Sequence, residues 1–538
     1  MSPRSEAPSL HLPMSTPIIS AATALPDLPF HVVTDLLREH ARARPTQTAL
    51  VAGAERMTYA ELDAMADRIA ASLQRDGIAP GASIALCAWP SVRYAALYLG
   101  ALRVGVVVAP LAPSVTPDSF AAMLDDAGAS ILFIDAAASD ALRGNAPDGV
   151  RRISLDGLVD GDAFDAWLMP SGTVPVPVEI RPEMPFNIIY SSGTTGQPKG
   201  IVQSHGMRWT HVMRGRNYRY GPDGVTLLAT PLYSNTTLVV FFPTIAFGGT
   251  VILMTKFDAA TYLELARDHG VTHTMLVPVQ YQRIMALPAF DTYALSTFRF
   301  KFCTSAPFNA ALKADVLTRW PGGLIEFYGM TEGGGTCMLA AHEYPHKLHT
   351  VGRPAEGHDI RLIDEVGKEL PHGSIGEVVG HSAGMMSAYH GKPEKTREAE
   401  WFDAVGKRFI RTGDVGRFDD DGFLVLMDRR KDMIISGGFN IYPSDLEAVL
   451  RGHPAVADVA VVGVPSETWG ETPIAYVVPR GGHGVTEAEL MEWTNGRVGK
   501  TQRLARLGFV VELPRSAIGK VLKKDLRDAH VASGRAPR

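Results

Sequence analysis

The segment Tyr190-Ser-Ser-Gly-Thr-Thr-Gly-Gln-Pro-Lys199-Gly200 gathers groups that hold phosphate. Ser191, Ser192, Thr194 and Thr195 offer four hydroxyls that donate to phosphate oxygens. Gly193, Gly196 and Gly200 let the backbone approach closely. Lys199 adds a point charge suited to β- and γ-phosphates. This is not a Walker loop, because Gly200 follows the lysine where Ser or Thr is required. A second pattern is a decoy. His342-Glu343-Tyr344-Pro345-His346 spells H-E-x-x-H, with His349 nearby. Zinc chemistry needs both histidines on one helical face, and Pro345 breaks such a helix. The cysteines, Cys87, Cys303 and Cys337, read as small apolar packing residues.

These residues need a scaffold. The apolar run Phe186 to Ile189 precedes the phosphate segment, so the segment leaves a strand. Upstream, Thr58 and Glu61 form a capping box. Leu62, Met65, Ile69 and Leu73 then repeat at helical spacing. Strands are expected at Ser83 to Ala88, Val104 to Ala109 and Ile131 to Ile134, with helices between them. Further strands are expected at Val251 to Met254, Met275 to Val277 and Leu324 to Phe327. This alternation argues for a doubly wound α/β sheet. Between about 350 and 427, short apolar runs separated by turn signals read as an antiparallel unit. After the basic junction Asp428-Arg429-Arg430-Lys431-Asp432, an α+β unit is expected. Its predicted capping boxes are Ser444 with Glu447 and Thr486 with Glu489, and its strands Val456 to Val464, Ile474 to Val478 and Phe509 to Leu513.

The 538 residues allow three or four domains at about 150 residues each. With 46% apolar and 20% charged residues, a disordered chain, a collagen-like fibre and a small disulfide scaffold are excluded. The net charge of −5 gives no reason to expect nucleic acid or an anionic membrane as partner. An odd, sparse cysteine set fits a reducing compartment. The most apolar run, Leu238 to Phe247, is too short to span a bilayer and contains Pro243. Residues 1–28 read as a disordered, Pro-rich leader, with Met14 as an alternative start. A cytoplasmic enzyme is expected.

Five further motifs follow the phosphate segment in order: Tyr328-Gly329-Met330-Thr331-Glu332, Arg411-Thr412-Gly413-Asp414, Asp428-Arg429-Arg430-Lys431-Asp432, Gly437-Gly438-Phe439-Asn440-Ile441-Tyr442-Pro443 and Pro514-Arg515-Ser516-Ala517-Ile518-Gly519-Lys520. Together they resemble the signature of the acyl-adenylate-forming enzymes: acyl-CoA synthetases, adenylation domains of peptide synthetases, and luciferases. The resemblance runs from about residue 30 to the end and points to the acyl-CoA synthetase and aryl-CoA ligase branch. It implies a large adenylate-binding body (29–427) of doubly wound sheets with a small β-barrel-like unit (about 350–427). A hinge (428–432) and a smaller, mobile α+β lid (433–538) would follow.

The implied reaction has two steps. A carboxylate attacks the α-phosphate of ATP, giving acyl-AMP and pyrophosphate, and a thiol then displaces AMP. An anion must approach a polyanion, so charge neutralisation should dominate. By resemblance Lys520 bridges the carboxylate and the α-phosphate. Thr331 bonds the α-phosphate, and Glu332 holds Mg²⁺, a hard ion that favours carboxylate oxygen. Phe327, Tyr328 and Gly329 border the adenine, Tyr328 by stacking, while Glu326 takes the exocyclic amine. Asp414 holds the ribose hydroxyls and Arg429 adds a ribose or phosphate contact. Lys431 is the hinge, and Ser436, Gly437 and Gly438 line the coenzyme A channel after rotation.

The acyl pocket implied by the resemblance draws on Tyr233, Ser234, Asn235, Thr237, Tyr281, Thr304, Ser305, Ala306, Gly333 and Gly334. Gly333-Gly334-Gly335 would leave room for a bulky acyl group. Tyr233 to Leu238 lacks the Asp with which amino-acid-activating relatives hold an ammonium. This leaves aromatic acids, of the hydroxycinnamate or benzoate type, or medium- and long-chain fatty acids. Too little chain follows Lys520 for an attached carrier domain, which favours a CoA ligase over an acyl-AMP ligase loading a separate carrier protein. A silent nucleotide sensor would be expected to lack Lys520 or Glu332. A homodimer is left open.

Overall fold

A computed structural model of the chain describes residues 30–142, 149–191, 199–429, 432–436, 439–466, 469–482, 484–499, 502–516 and 519–532. The expected leader, residues 1–28, lies outside them. The described strands form four sheets. One has eight strands, in the order Ala388–Tyr389, Lys199–Ser204, Pro185–Ser191, Val107–Pro110, Ser83–Cys87, Ile131–Ile134, Arg151–Ser154, Asp162–Ala163. Its centre is parallel and buried on both faces, so these strands are written as unbroken apolar runs. A second sheet has nine strands. The parallel strands Val225–Leu228, His273–Leu276, Phe300–Cys303 and Gly323–Met330 lead to an antiparallel strand, Gly333–Ala340, with Arg353–Pro354 at the edge beyond it. The helix Val92–Arg103 is buried along its whole length.

The expected small antiparallel unit is built from Asp359–Ile363, Gly376–His381, Arg408–Phe418, Glu400–Phe402 and Leu424–Arg429. The C-terminal unit carries Ile434–Ser436, Phe439–Ile441, Val456–Ser466, Gly470–Pro479 and Arg506–Phe509, with the helices Pro443–Arg451, Glu487–Asn495 and Lys523–Ala532. The fold is therefore mixed α/β, with a large sheet body and a smaller C-terminal domain.

The Thr58 and Thr486 capping boxes form as expected. The Ser444–Glu447 box does not. The helix opens at Pro443 without a side-chain cap, and the Ser444 hydroxyl donates to the Met427 carbonyl. Glu447 instead accepts from Lys523 at 2.9 Å and from the Val461 amide at 2.9 Å. Tertiary partners overrode the local cap. Two strands also shift: the first runs Val107–Pro110, and the last runs Arg506–Phe509, drawn into parallel pairing with Ile474 to Val477.

Candidate active site

The sheets and the C-terminal domain enclose a cleft of about 1900 Å³. On its phosphate side the strands Pro185–Ser191 and Lys199–Ser204 pair with Ser191 opposite Lys199. Ser192, Gly193, Thr194, Thr195 and Gly196 lie outside the described residues. For Ser191 and Arg429 only the strand position is described; Arg429 stands opposite Asp414. Lys199 lines the cleft, with Nζ 5.2 Å from the Tyr389 ring centroid. The Tyr389 hydroxyl donates to Glu332 Oε1 at 2.8 Å, and the Met386 amide donates to the Glu332 carbonyl at 2.7 Å. Burial and the adjacent Glu332 push the Tyr389 phenol up, so it stays a donor. The Tyr190 hydroxyl and Lys392 both donate to Asp126, at 2.8 and 2.7 Å, which ties this strand to the helix Pro117–Ala127.

Thr331, Glu332, Asp414 and Lys520 also line the cleft. Lys520 ends a tight turn in which its carbonyl accepts from the Ser516 amide at 2.8 Å, and the Arg515 guanidinium donates to the Gly519 carbonyl at 2.6 Å. Gly519 sits against the body, where a Cβ would lie 2.7 Å from Val279. Ser436, by contrast, is buried and paired with Phe439 and Gly470. Gly437, Gly438 and Lys431 lie outside the described residues.

Two residues expected at the adenine stand off the cleft lining. The strand Gly323–Met330 turns alternate residues to opposite sides, and Phe327 and Gly329 face the cleft. Glu326 and Tyr328 do share a side, but it lies behind the cleft wall. Glu326 pairs with Lys313, both fully enclosed, and Lys313 also donates to the Leu348 carbonyl at 2.8 Å. Burial pushes the Glu326 carboxyl up, against the pull of Lys313. Tyr328 packs with Cys337, Ile360 and Leu362, and its hydroxyl donates to Asp414 at 2.9 Å.

Of the residues expected at the acyl pocket, Tyr233, Ser234, Asn235, Thr304 and Ser305 line the cleft. Ser305 holds φ +81°, a left-handed conformation unusual for a residue with a Cβ, and its hydroxyl lies 2.7 Å from that of Thr236. Thr237 is turned away: it is fully buried and donates to the Pro231 carbonyl at 2.7 Å. Ala306 stands outside the cleft lining. Tyr281 donates to the Phe302 carbonyl and stacks on Phe308, inside the core. Gly333 and Gly334 do not open acyl space. A Cβ on Gly333 would lie 1.9 Å from the Gly384 carbonyl oxygen, and one on Gly334 2.9 Å from that of Gly380. These glycines allow the small antiparallel unit to dock on the strand Gly333–Ala340.

Several site residues carried no sequence signal. Gln203 donates to the Thr331 carbonyl at 2.8 Å. Buried Arg208 donates to Gln203 and, at 3.1 Å, to Asn235. It lies 5.5 Å from the rings of both Phe186 and Phe242. Burial pulls its guanidinium down to about 10. Tyr218, Tyr220, Phe302 and Phe327 form an aromatic end to the cleft, with Tyr218 centred 5.0 Å from Phe302 and 6.1 Å from Phe327. Pro345 opens a three-residue 3-10 helix, so His342 and His346 share no α-helical face.

The AMP-binding enzyme family model matches residues 37–390, and the model of the AMP-binding enzyme C-terminal domain matches residues 445–520. The chain belongs to the AMP-binding enzyme family. Among family members, 4-coumarate–CoA ligase 5 of Oryza sativa subsp. japonica is 32% identical over 95% of this chain and 96% of its own length. The fatty acid–[acyl-carrier-protein] ligase ScoC of Streptomyces coeruleorubidus is 31% identical over 91% of this chain and 94% of its own length. The crystal structure of ATP-bound MatB from Rhodopseudomonas palustris superposes with a TM-score of 0.84 at 30% identity, covering 93% of this chain and all of MatB. Among the described residues no helix is long and apolar enough to cross a membrane.

Proposed function

We propose that this chain is an ATP-dependent carboxylic acid–CoA ligase. The observation that carries this reading is convergence: Thr331, Glu332, Asp414 and Lys520, from three separate parts of the chain, border one cleft with an aromatic acyl end. In the first step the acid's carboxylate oxygen attacks the α-phosphorus of ATP, and the bond to the β-phosphate oxygen breaks to release pyrophosphate. Lys520 neutralises charge between the two anions, where a fixed cation is worth most. Thr331 donates to the α-phosphate, Lys199 faces the β- and γ-phosphates, and Asp414 accepts from the ribose hydroxyls.

Glu332 suits Mg²⁺, because its buried carboxylate is a hard oxygen donor. Among the described residues no group of three or more His, Cys, Asp or Glu could hold a metal. The ion's other ligands would therefore be phosphate oxygens and water, and it would supply charge neutralisation on the phosphates.

In the second step the CoA thiol attacks the acyl carbon, and AMP leaves. Lys520 lines the cleft while Ser436 lies buried elsewhere. We read this as the acid-activating arrangement. Rotation about residues 428–432 would bring the Ser436 to Gly438 segment in for thiolation. The acyl end, ringed by Tyr218, Tyr220, Phe302 and Phe327, favours an aromatic acid over an alkyl one. Dependence on ATP and CoA pools points to the cytoplasm. The similarity to an acyl-carrier-protein ligase supports a second acceptor, the phosphopantetheine thiol of a separate carrier.

ATP–pyrophosphate exchange across a panel of aromatic and fatty acids tests the reading. Exchange is expected for at least one acid, and CoA then discharges the adenylate. Absence of exchange with every acid overturns the function. Discharge by a carrier protein but not by CoA replaces the acceptor.

A further inference from the structure

The acyl end of the cleft holds a cation that the protein leaves unneutralised. Arg214 closes the helix His205–Arg214 and lines the cleft. Among the described residues it makes no hydrogen bond and no ion pair. Cations in the interior are capped. Arg103 pairs with Asp63 and Asp67, Lys313 with Glu326, and Lys301 donates to the carbonyls of Trp320, Pro321 and Gly322. The ionisable groups felt by Arg214 supply no anion. They are His211, Tyr218 and His358. Burial holds His358 near 4 and His211 well below its usual range, so both are neutral at pH 7. The helix C-terminus favours a cation there, but it leaves the guanidinium donors unused.

Tyr220 borders the same end of the cleft. Gly215 follows Arg214, and a Cβ there would lie 3.3 Å from the Tyr220 ring. Tyr220 lines the cleft, and its hydroxyl is buried with no hydrogen-bond partner. The ring is fixed by stacking on His273, centroids 4.2 Å apart. This corner is deep. Met275 and Phe302, which line it, lie inside their strands, whereas Thr304 and Ser305 follow the end of the strand Phe300–Cys303.

A guanidinium donates through five N–H groups and cannot accept. An acid entering the cleft displaces water from it, and a guanidinium stripped of water needs an acceptor. A carboxylate matches the planar fork and cancels the charge, as a neutral carbonyl does not. We propose that Arg214 binds a second carboxylate at the end of the acid remote from the one that is adenylated. The substrate is then a dicarboxylic acid with an aromatic or apolar body. The assignment rests on the acid-activating function proposed above.

Matched acids test it: terephthalate against 4-methylbenzoate, 1,4-phenylenediacetate against 4-methylphenylacetate, and suberate against octanoate. Pyrophosphate exchange gives kcat/KM for each. In at least one pair the diacid is expected to win by about 100-fold, the order expected for charge-assisted hydrogen bonds. Arg214→Gln should collapse that ratio, and Arg214→Lys, which keeps the charge but loses the fork, should fall between. A monoacid preference in every pair, a ratio unmoved by both variants, or an equal rate with the distal methyl ester overturns the proposal. The wild-type preference decides even if a variant misfolds. Calorimetric titration with the diacids, without ATP, reads the corner apart from chemistry. Binding that Arg214→Gln abolishes, with no exchange for any acid, would keep this site and sink the ligase reading. Exchange with monoacids alone, with no diacid binding, would do the reverse.

Discussion

The nucleotide end of the cleft and its acyl end are built to different rules. At the nucleotide end, polar groups come from short motifs held at turns and strand ends: Thr331 and Glu332 between two strands, Asp414 within a strand opposite Arg429, Lys520 bonded through its carbonyl to the Ser516 amide. On the proposed function their ligand has a fixed shape and charge, so few residue types at few spacings will serve. At the acyl end, Tyr218, Tyr220, Met275 and Phe302 come from a 3-10 turn, a loop and two strands, and are placed by packing. Any side chains that fill the same volume would serve as well. The first end can be written locally. The second exists only after the sheet has formed.

The contrast can be broken or sharpened by substitution. The largest effect is expected from Lys520→Ala, which should cut adenylation by about 1000-fold, comparable to removing a preorganised charge-stabilising group. Thiolation of supplied acyl-AMP should survive. Equal loss of both half-reactions would show that the two ends are not served by separate faces of the C-terminal domain. Next is Gly333→Ala. Its Cβ would meet the Gly384 carbonyl at 1.9 Å, at a residue with φ +75°. A loss of about 3 kcal/mol is expected from strain and displacement, read as a lower denaturant midpoint at unchanged slope. An unchanged midpoint would mean that the triple glycine serves the ligand after all. The smallest is Tyr389→Phe, which removes one hydrogen bond from buried Glu332. About a tenfold drop in kcat/KM for ATP is expected, the worth of one bond to a charged group, with the preference among acids unchanged. A shift in acid preference would mean that the ends are coupled.

The same contrast explains what the sequence made legible. The alternating α/β body, the C-terminal domain and the cleft positions of Lys199, Glu332, Asp414 and Lys520 could be read from periodicity and motif order. Glu326 and Tyr328 were rightly assigned to one face, but nothing local states which face meets the cleft. That is decided by Lys313 and by the docking of the small antiparallel unit. The glycine run suggested empty space because absence of side chains looks the same whether ligand or backbone fills the gap. Tyr389 and Arg214 carried no signal, since their significance depends on partners that folding brings near, or fails to supply.

One phenol holds several of these tracts together. Tyr389 sits on an edge strand of the eight-stranded sheet, and Glu332 lies at the hairpin joining two strands of the nine-stranded sheet. Their bond spans the gap between the sheets, and Lys199 lies against the same ring. The spacing of the two sheets at this point is thus set when the chain folds, before any nucleotide arrives. It acts as a gauge block: a dimension fixed once, against which each cycle is registered. The entropy of assembling that part of the site is spent once per molecule rather than once per turnover, which leaves the C-terminal domain to keep time.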